Sequence, residues 1–267
     1  MISRVLSLII ITILLLSSQS HSITVSDITK GGYARKLFIS GNYLYLADWH
    51  SGLHIVDFSD PYRPFRIGGL DTKGITSYVV VEGNHAFLAD RENGIEIVDV
   101  SDSSRPRLIA RYKTREIPKA IAFSNGNIFI AEGEGWLEKV DVSNIEMPVK
   151  VDEFRANSIS GISINESFAY ASDNDRLLIL DISDPKFIKK IKTKKVGYNI
   201  RNISVINDRM YITGSTKISL FNITDADNPV LSREYEIDDG VSNIFIGEDG
   251  NIYMAAGSDG LRVLLID

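Results

Sequence analysis

One short motif recurs along the chain, and its spacing constrains the fold more than any other feature. An apolar run, in most copies closed by an acid, begins at Leu53, Ile95, Leu137, Leu177, Ile218 and Leu261, at intervals of 42, 42, 40, 41 and 43 residues. The acids closing the first four runs are Asp57, Asp99, Asp141 and Asp181. Self-similarity at such a period marks an architecture in which one supersecondary unit is copied along the chain. Upstream, Gly-Asn pairs (Gly41-Asn42, Gly83-Asn84, Gly126-Asn127, Gly250-Asn251) sit between strand-like runs, which is a hairpin signal. Downstream, Ser59, Ser101, Ser143, Ser183 or Thr224 stands two residues past the end of the run. A proline-bearing turn follows, and a last strand completes the unit.

Four strands per unit, joined in order by short turns and free of helical periodicity, describe a propeller blade. The expected fold is all-β: a six-bladed β-propeller of four-stranded antiparallel blades over residues 23–267. The sixth copy stops before its outer strand. Residues 23–29 align with the outer strand of the first copy, so this N-terminal strand is expected to close the ring and cover an open edge. On that reading, trimming the chain to Gly31 lowers the melting temperature.

Residues 1–22 read as a signal peptide. Arg4 precedes a twelve-residue apolar run, and small or polar residues follow up to Ser22, the order of n-region, h-region and cleavage zone. A permanent span needs roughly 17 to 25 apolar residues. Cleavage near His21 or Ile23 is therefore expected, with an uncleaved anchor as the alternative and no permanent span after cleavage. The chain has no cysteine, which excludes disulfides, thiolate chemistry and lipid attachment at a signal cysteine. A net charge of −6 argues against nucleic acid as a partner.

The stretches over residues 40–48 (SGNYLYLAD) and 52–61 (GLHIVDFSDP) resemble the LVIVD repeat, a family of exported or surface prokaryotic proteins. The resemblance covers essentially the whole mature chain. It is strongest in the first two copies and weakest in the last two, where Asn222 and Leu265 replace the acid. It implies a propeller in a secreted, periplasmic or cell-surface setting. No agreed activity comes with it, so it transfers no catalytic residue.

The acids Asp57, Asp99, Asp141 and Asp181 occupy one equivalent position in four blades, and a group repeated by every blade serves the blade. A carboxylate with Ser two residues on is suited to capping the following turn. Function is sought where copies differ. Just after the second strand stand Asp48, Asp90, Glu132, Ser172, Gly214 and Ala256, an acidic arc on one side of the ring. Around it are expected Trp49, His50, Arg91, Glu92, Glu134, Trp136, Asp173, Asn174 and Asp259, with Tyr33, Arg35, Lys119, Tyr198 and Arg201 from the inter-blade connections. Both tryptophans fall on this loop face, where aromatics beside charges mark binding surfaces; packing over blade edges is the alternative.

The expected function is a non-enzymatic binding module holding a protein, peptide or glycan on the loop face, with no cofactor and no metal. One alternative is a carbohydrate-active hydrolase or lyase using Asp48, Asp90 and Glu132 as paired carboxylates. Another is a structural surface protein. Asp173-Asn174-Asp175 resembles the start of a calcium loop but lacks its Gly and distal Glu.

Overall fold

The structure, a computed structural model, describes residues 34–57, 59, 64–237, 243–246, 252–255 and 261–264. Blade 1 comprises β1 (Ala34–Ser40), β2 (Tyr43–Asp48), β3 (Gly52–Asp57) and β4 (Phe65–Leu70). Blade 2 comprises β5 (Thr76–Glu82), β6 (His85–Asp90), β7 (Gly94–Asp99) and β8 (Arg107–Tyr112). Blade 3 comprises β9 (Pro118–Ser124), β10 (Asn127–Glu132), β11 (Trp136–Asp141) and β12 (Val149–Arg155), with a 3₁₀ turn at Gly133–Gly135. Blade 4 holds β13 (Ile162–Asn165), β14 (Phe168–Asp173), β15 (Arg176–Asp181) and β16 (Lys189–Lys195); blade 5 holds β17 (Asn202–Ile206), β18 (Arg209–Thr213), β19 (Lys217–Asn222) and β20 (Val230–Glu236). Each is an antiparallel meander in chain order.

The expectation of six four-stranded blades is corrected here: the described residues form five. The last strands, β21 (Asn243–Ile246), β22 (Ile252–Ala255) and β23 (Leu261–Leu264), form a sheet of three. Among the described residues no outer strand pairs with β23. Residues 23–29, assigned to that role from the sequence, lie outside the described residues, as do the signal segment and Tyr33. Among the described residues, no helix is long and apolar enough to cross a membrane.

The core sits between blades. Tyr45, Leu53 and Ile55 of blade 1 pack with Val79, Leu88 and Val98 of blade 2. Phe87, Ile95 and Ile97 of blade 2 pack with Ile121, Ile128 and Val140 of blade 3, and the seams between blades 3 and 4 and between 4 and 5 are filled alike. Successive residues of a strand point to opposite faces, so Ile95 and Ile97 serve the seam with blade 3 while Val98 serves the seam with blade 1. The third strand thus reads as nearly continuous apolar sequence because both its faces are covered. Each Leu or Ile so buried contributes roughly 1.5 to 3 kcal/mol.

Two irregularities recur from blade to blade. Every outer strand carries a register shift opposite the third strand, between Ile55 and Val56, Ile97 and Val98, Lys139 and Val140, Ile179 and Leu180, and Leu220 and Phe221. Bulges of this kind twist an open edge away from foreign strands. Inner strands of the first three blades also shift where they enter the sheet, and Arg35, Ser77 and Lys119 are the residues at those bulges. Such a bulge re-aims a side chain, and Arg35 and Lys119 are exposed.

Gly52 and Gly94 open the third strands at φ 74° and 79°, and a Cβ there would strike the carbonyls of Leu70 and Tyr112 on the adjoining outer strands. Gly83, in a hairpin turn at φ 54°, has open space around it. Gly94→Ala is expected to cost at least about 2 kcal/mol, because strained backbone and collision combine, whereas Gly83→Ala costs only the backbone term of about 1 kcal/mol. Denaturant midpoints of the two variants measure the difference, and equal losses would contradict it.

Candidate functional site

The repeated acids end the third strands and are spent locally. Asp57, Asp99 and Asp181 each accept both the N–H and the hydroxyl of the serine two residues on, at 2.6–2.9 Å. Asp141 accepts Ser143 N–H at 2.8 Å, and Asn222 repeats the bond with Thr224 N–H at 2.8 Å. The Ser101 hydroxyl and N–H, helped by Arg107, bring the Asp99 carboxyl down to about 2.

Asp48, Asp90 and Glu132 are fully buried. Asp90 Oδ1 accepts the N–H groups of Glu92 and Asn93, both at 2.9 Å, closing the turn between β6 and β7. Glu132 Oε2 accepts Glu116 N–H at 2.7 Å from the connector between blades 2 and 3. In blade 4 the same task falls one residue later, where Asp173 accepts Asn157 N–H at 3.1 Å and Ser158 N–H at 3.0 Å. These bonds engage Asp173 with the chain's own backbone, and among the described residues no group of three or more His, Asp or Glu stands together to hold a metal. Asp48 Oδ2 lies 3.2 Å from His54 Nε2, itself buried. Burial, and then Arg66, push the His54 imidazole below its ordinary value.

A second layer of buried polar groups lies one step down the third strand, at His54, Glu96, Glu138 and Ser219. Glu96 Oε1 accepts Arg111 Nε at 2.8 Å, and Glu138 Oε2 accepts the Tyr112 hydroxyl at 2.8 Å across the seam. Burial pushes the Glu132 carboxyl up to about 8, with Glu138 adding to the effect against the Glu116 N–H. Glu132 Oε1 has no N–H or O–H donor. With its proton on, the buried Glu132 carboxyl avoids charge repulsion from Glu138.

Exposed chemistry lies beside these acids. Trp49 has Arg35 at 4.0 Å and Arg91 at 5.6 Å from its ring centroid; Trp136 has Arg115 at 4.0 Å and Arg155 at 4.5 Å. Both indoles are half-buried. A groove of about 460 Å³ runs between the turn at residues 91–93 and the connector at residues 113–117. Arg91, Arg111, Lys113 and Arg115 line it together with Glu92 and Glu116. Arg115 Nη2 also donates to Glu153 Oε2 at 2.9 Å.

Of the other residues expected on this face, His50, Lys119, Glu134 and Arg201 are exposed. His50 meets Trp49 edge to face at 6.3 Å. Glu134 stands at φ 56° inside the 3₁₀ turn. Tyr198 turns inward, its hydroxyl 2.9 Å from Ile212 O and 2.7 Å from Ser219 Oγ. Tyr33, Ala256 and Asp259 lie outside the described residues. Sequence reasoning missed Arg111, Lys113, Arg115 and Arg155. The signal available was their clustering at the ends of outer strands, which lead directly into the inter-blade connectors.

Three segments, residues 31–72, 73–114 and 158–187, match the LVIVD repeat. The chain carries LVIVD repeats. The second and third matched segments are separated by residues 115–157, the unit that contributes Arg115, Trp136, Glu153 and Arg155. No curated protein sequence matches the chain. Among solved structures, it resembles a functionally unknown protein from Desulfotomaculum acetoxidans at TM-score 0.76 and 13% identity, covering 88% of this chain and 83% of that one. It also resembles the periplasmic gluconolactonase PpgL of Pseudomonas aeruginosa at TM-score 0.71 and 11% identity, over 86% and 80% of the two chains. The computationally designed Ika8 protein matches at TM-score 0.63 and 10% identity, over 86% and 70%. At these identities the likeness is one of fold.

The raised Glu132 carboxyl sets a pH dependence. Unfolded, the group titrates near 4.5; folded, near 8, so its proton stabilises the fold fully below 4.5 and that stabilisation is lost as pH rises through 8. Glu132→Gln keeps an acceptor for Glu116 N–H and offers N–H to Glu138. It is expected to flatten the fall in melting temperature between pH 4.5 and 8 and to gain about 2–8 °C at the upper end. Parallel pH profiles for variant and wild type would refute the role of the Glu132 carboxyl.

Proposed function

We propose that this LVIVD-repeat propeller is an exported binding module that holds its partner on the loop face of blades 1 to 3. The observation that carries this reading is the pair of arginine–tryptophan clusters, Trp49 with Arg35 and Arg91, and Trp136 with Arg115 and Arg155, each giving one arginine, Arg91 or Arg115, to the same groove. Tryptophan and arginine are the residues that most often anchor interfaces, and a guanidinium stacked on an indole keeps its N–H edge available. Residues 115–157, outside the three matched repeat segments, supply one of the two clusters.

The hydrolase reading has less support. Its three carboxylates are buried; Asp90 and Glu132 hold backbone N–H groups and Asp48 faces His54. Bulged outer strands, and the lysine-rich edge of β16, likewise disfavour assembly through sheet edges.

The chain contains only two tryptophans, both on this face, so intrinsic emission reports ligand binding there without a label. A panel of envelope polysaccharides and peptides titrated against the protein is expected to include one that shifts the emission, and Trp49→Ala with Trp136→Ala should weaken that ligand by at least about tenfold, or 1.4 kcal/mol. A ligand that binds calorimetrically but leaves the emission unchanged, and binds the double variant equally, would place the interaction elsewhere.

A further inference from the structure

We propose that the groove beside blade 2 is a site for a carboxylate-bearing sugar chain of uronate type, with Arg111 and Arg115 holding a ring carboxylate and Glu92 and Glu116 accepting ring hydroxyls. This names the ligand class of the loop-face reading above and rests on it.

The arginines of the groove are fixed before any ligand arrives. Arg111 donates Nε to the fully buried Glu96 at 2.8 Å, yet half of its side chain remains exposed. A buried carboxylate is expensive to desolvate, and here it orients a guanidinium that lines an open groove. Arg115 is held by Glu153 and by the Trp136 ring at 4.0 Å. Arg91 stands by Trp49 at 5.6 Å. A planar fork held in place by other contacts matches an oxyanion in two parallel bonds and loses little freedom on binding.

The lining also selects among anions. Glu92 and Glu116 face the same groove, and the chain carries a net charge of −6, so a dense polyanion such as nucleic acid or polyphosphate meets repulsion. A sugar acid instead offers hydroxyl donors to those carboxylates and hydroxyl acceptors to Lys113. An acidic peptide supplies carboxylates, but each sits on a flexible side chain whose ordering costs about 0.5–1.5 kcal/mol. On a sugar ring the carboxylate is already placed. Guanidinium groups lie over both indoles, which favours recognition of the charge over stacking of a neutral sugar.

Calorimetry and tryptophan emission with short oligomers of galacturonate, mannuronate and glucuronate test the site against their methyl esters, poly-glutamate and inorganic polyphosphate. At least one uronate is expected to bind, and its ester to bind at least about tenfold more weakly. Arg111→Lys preserves a cation for Glu96 but removes the fork and should weaken the uronate about tenfold; the exposed Lys113→Gln should weaken it less. Equal affinity for acid and ester, tighter binding of poly-glutamate or polyphosphate, or unchanged affinity in both variants would overturn the proposal. If every uronate fails while another polymer shifts the emission, the ligand class is wrong and the loop-face reading stands. If no polymer does so, both fall.

Discussion

Blades 2 to 4 of this propeller are sheets with two apolar faces, and each face is covered by a neighbouring blade. The alternation in β7 shows the consequence, with Ile95 and Ile97 filling one seam and Val98 the other. No blade can bury its third strand alone, so stability is carried at the seams, as in other repeat architectures. Side chains at a seam must therefore be apolar or find a partner across it, and two polar groups show how. Tyr112 crosses from blade 2 to Glu138 of blade 3, and Lys139 donates to the carbonyl of Asp184 in blade 4 at 2.6 Å.

The loop face is organised by the same demand. Connectors between blades expose backbone N–H groups close to buried sheet ends, and an unpaired buried donor is costly. Asp90, Glu132 and Asp173 answer it by reaching from second strands into turns and connectors. The acids nearest the loops are thereby committed to holding the scaffold. What faces solvent instead is the arginine and tryptophan layer anchored on that scaffold, with Glu96 and Glu153 as its internal counter-charges.

Strand order was legible because hairpin signals are local: Gly-Asn turns, the apolar run and the serine past its acid lie within one unit. The number of complete blades was not, because the motif marks a third strand while a blade is defined by what pairs with that strand. Six motifs are present, and among the described residues five of the corresponding strands gain both neighbours. The two tryptophans were legible as loop-face residues from their place beside strand ends. Arg111 and Arg115 were not, since nothing local to the outer strand reveals that Glu96 lies under the first or Trp136 beside the second.

The sequence by itself determined an all-β chain of LVIVD-type units, the position of every third strand in the five complete blades, and the local caps at Asp57, Asp99, Asp141 and Asp181, because each depends on residues within a few positions of one another. Tertiary structure alone decided how many four-stranded blades the described residues form, that Asp48, Asp90 and Glu132 are interior rather than solvent-facing, and that cations from a hairpin turn, an outer strand and a connector meet in one groove. Those outcomes depend on which strands pair and which faces are covered, and burial and charge proximity are properties of the packed blades rather than of any single segment.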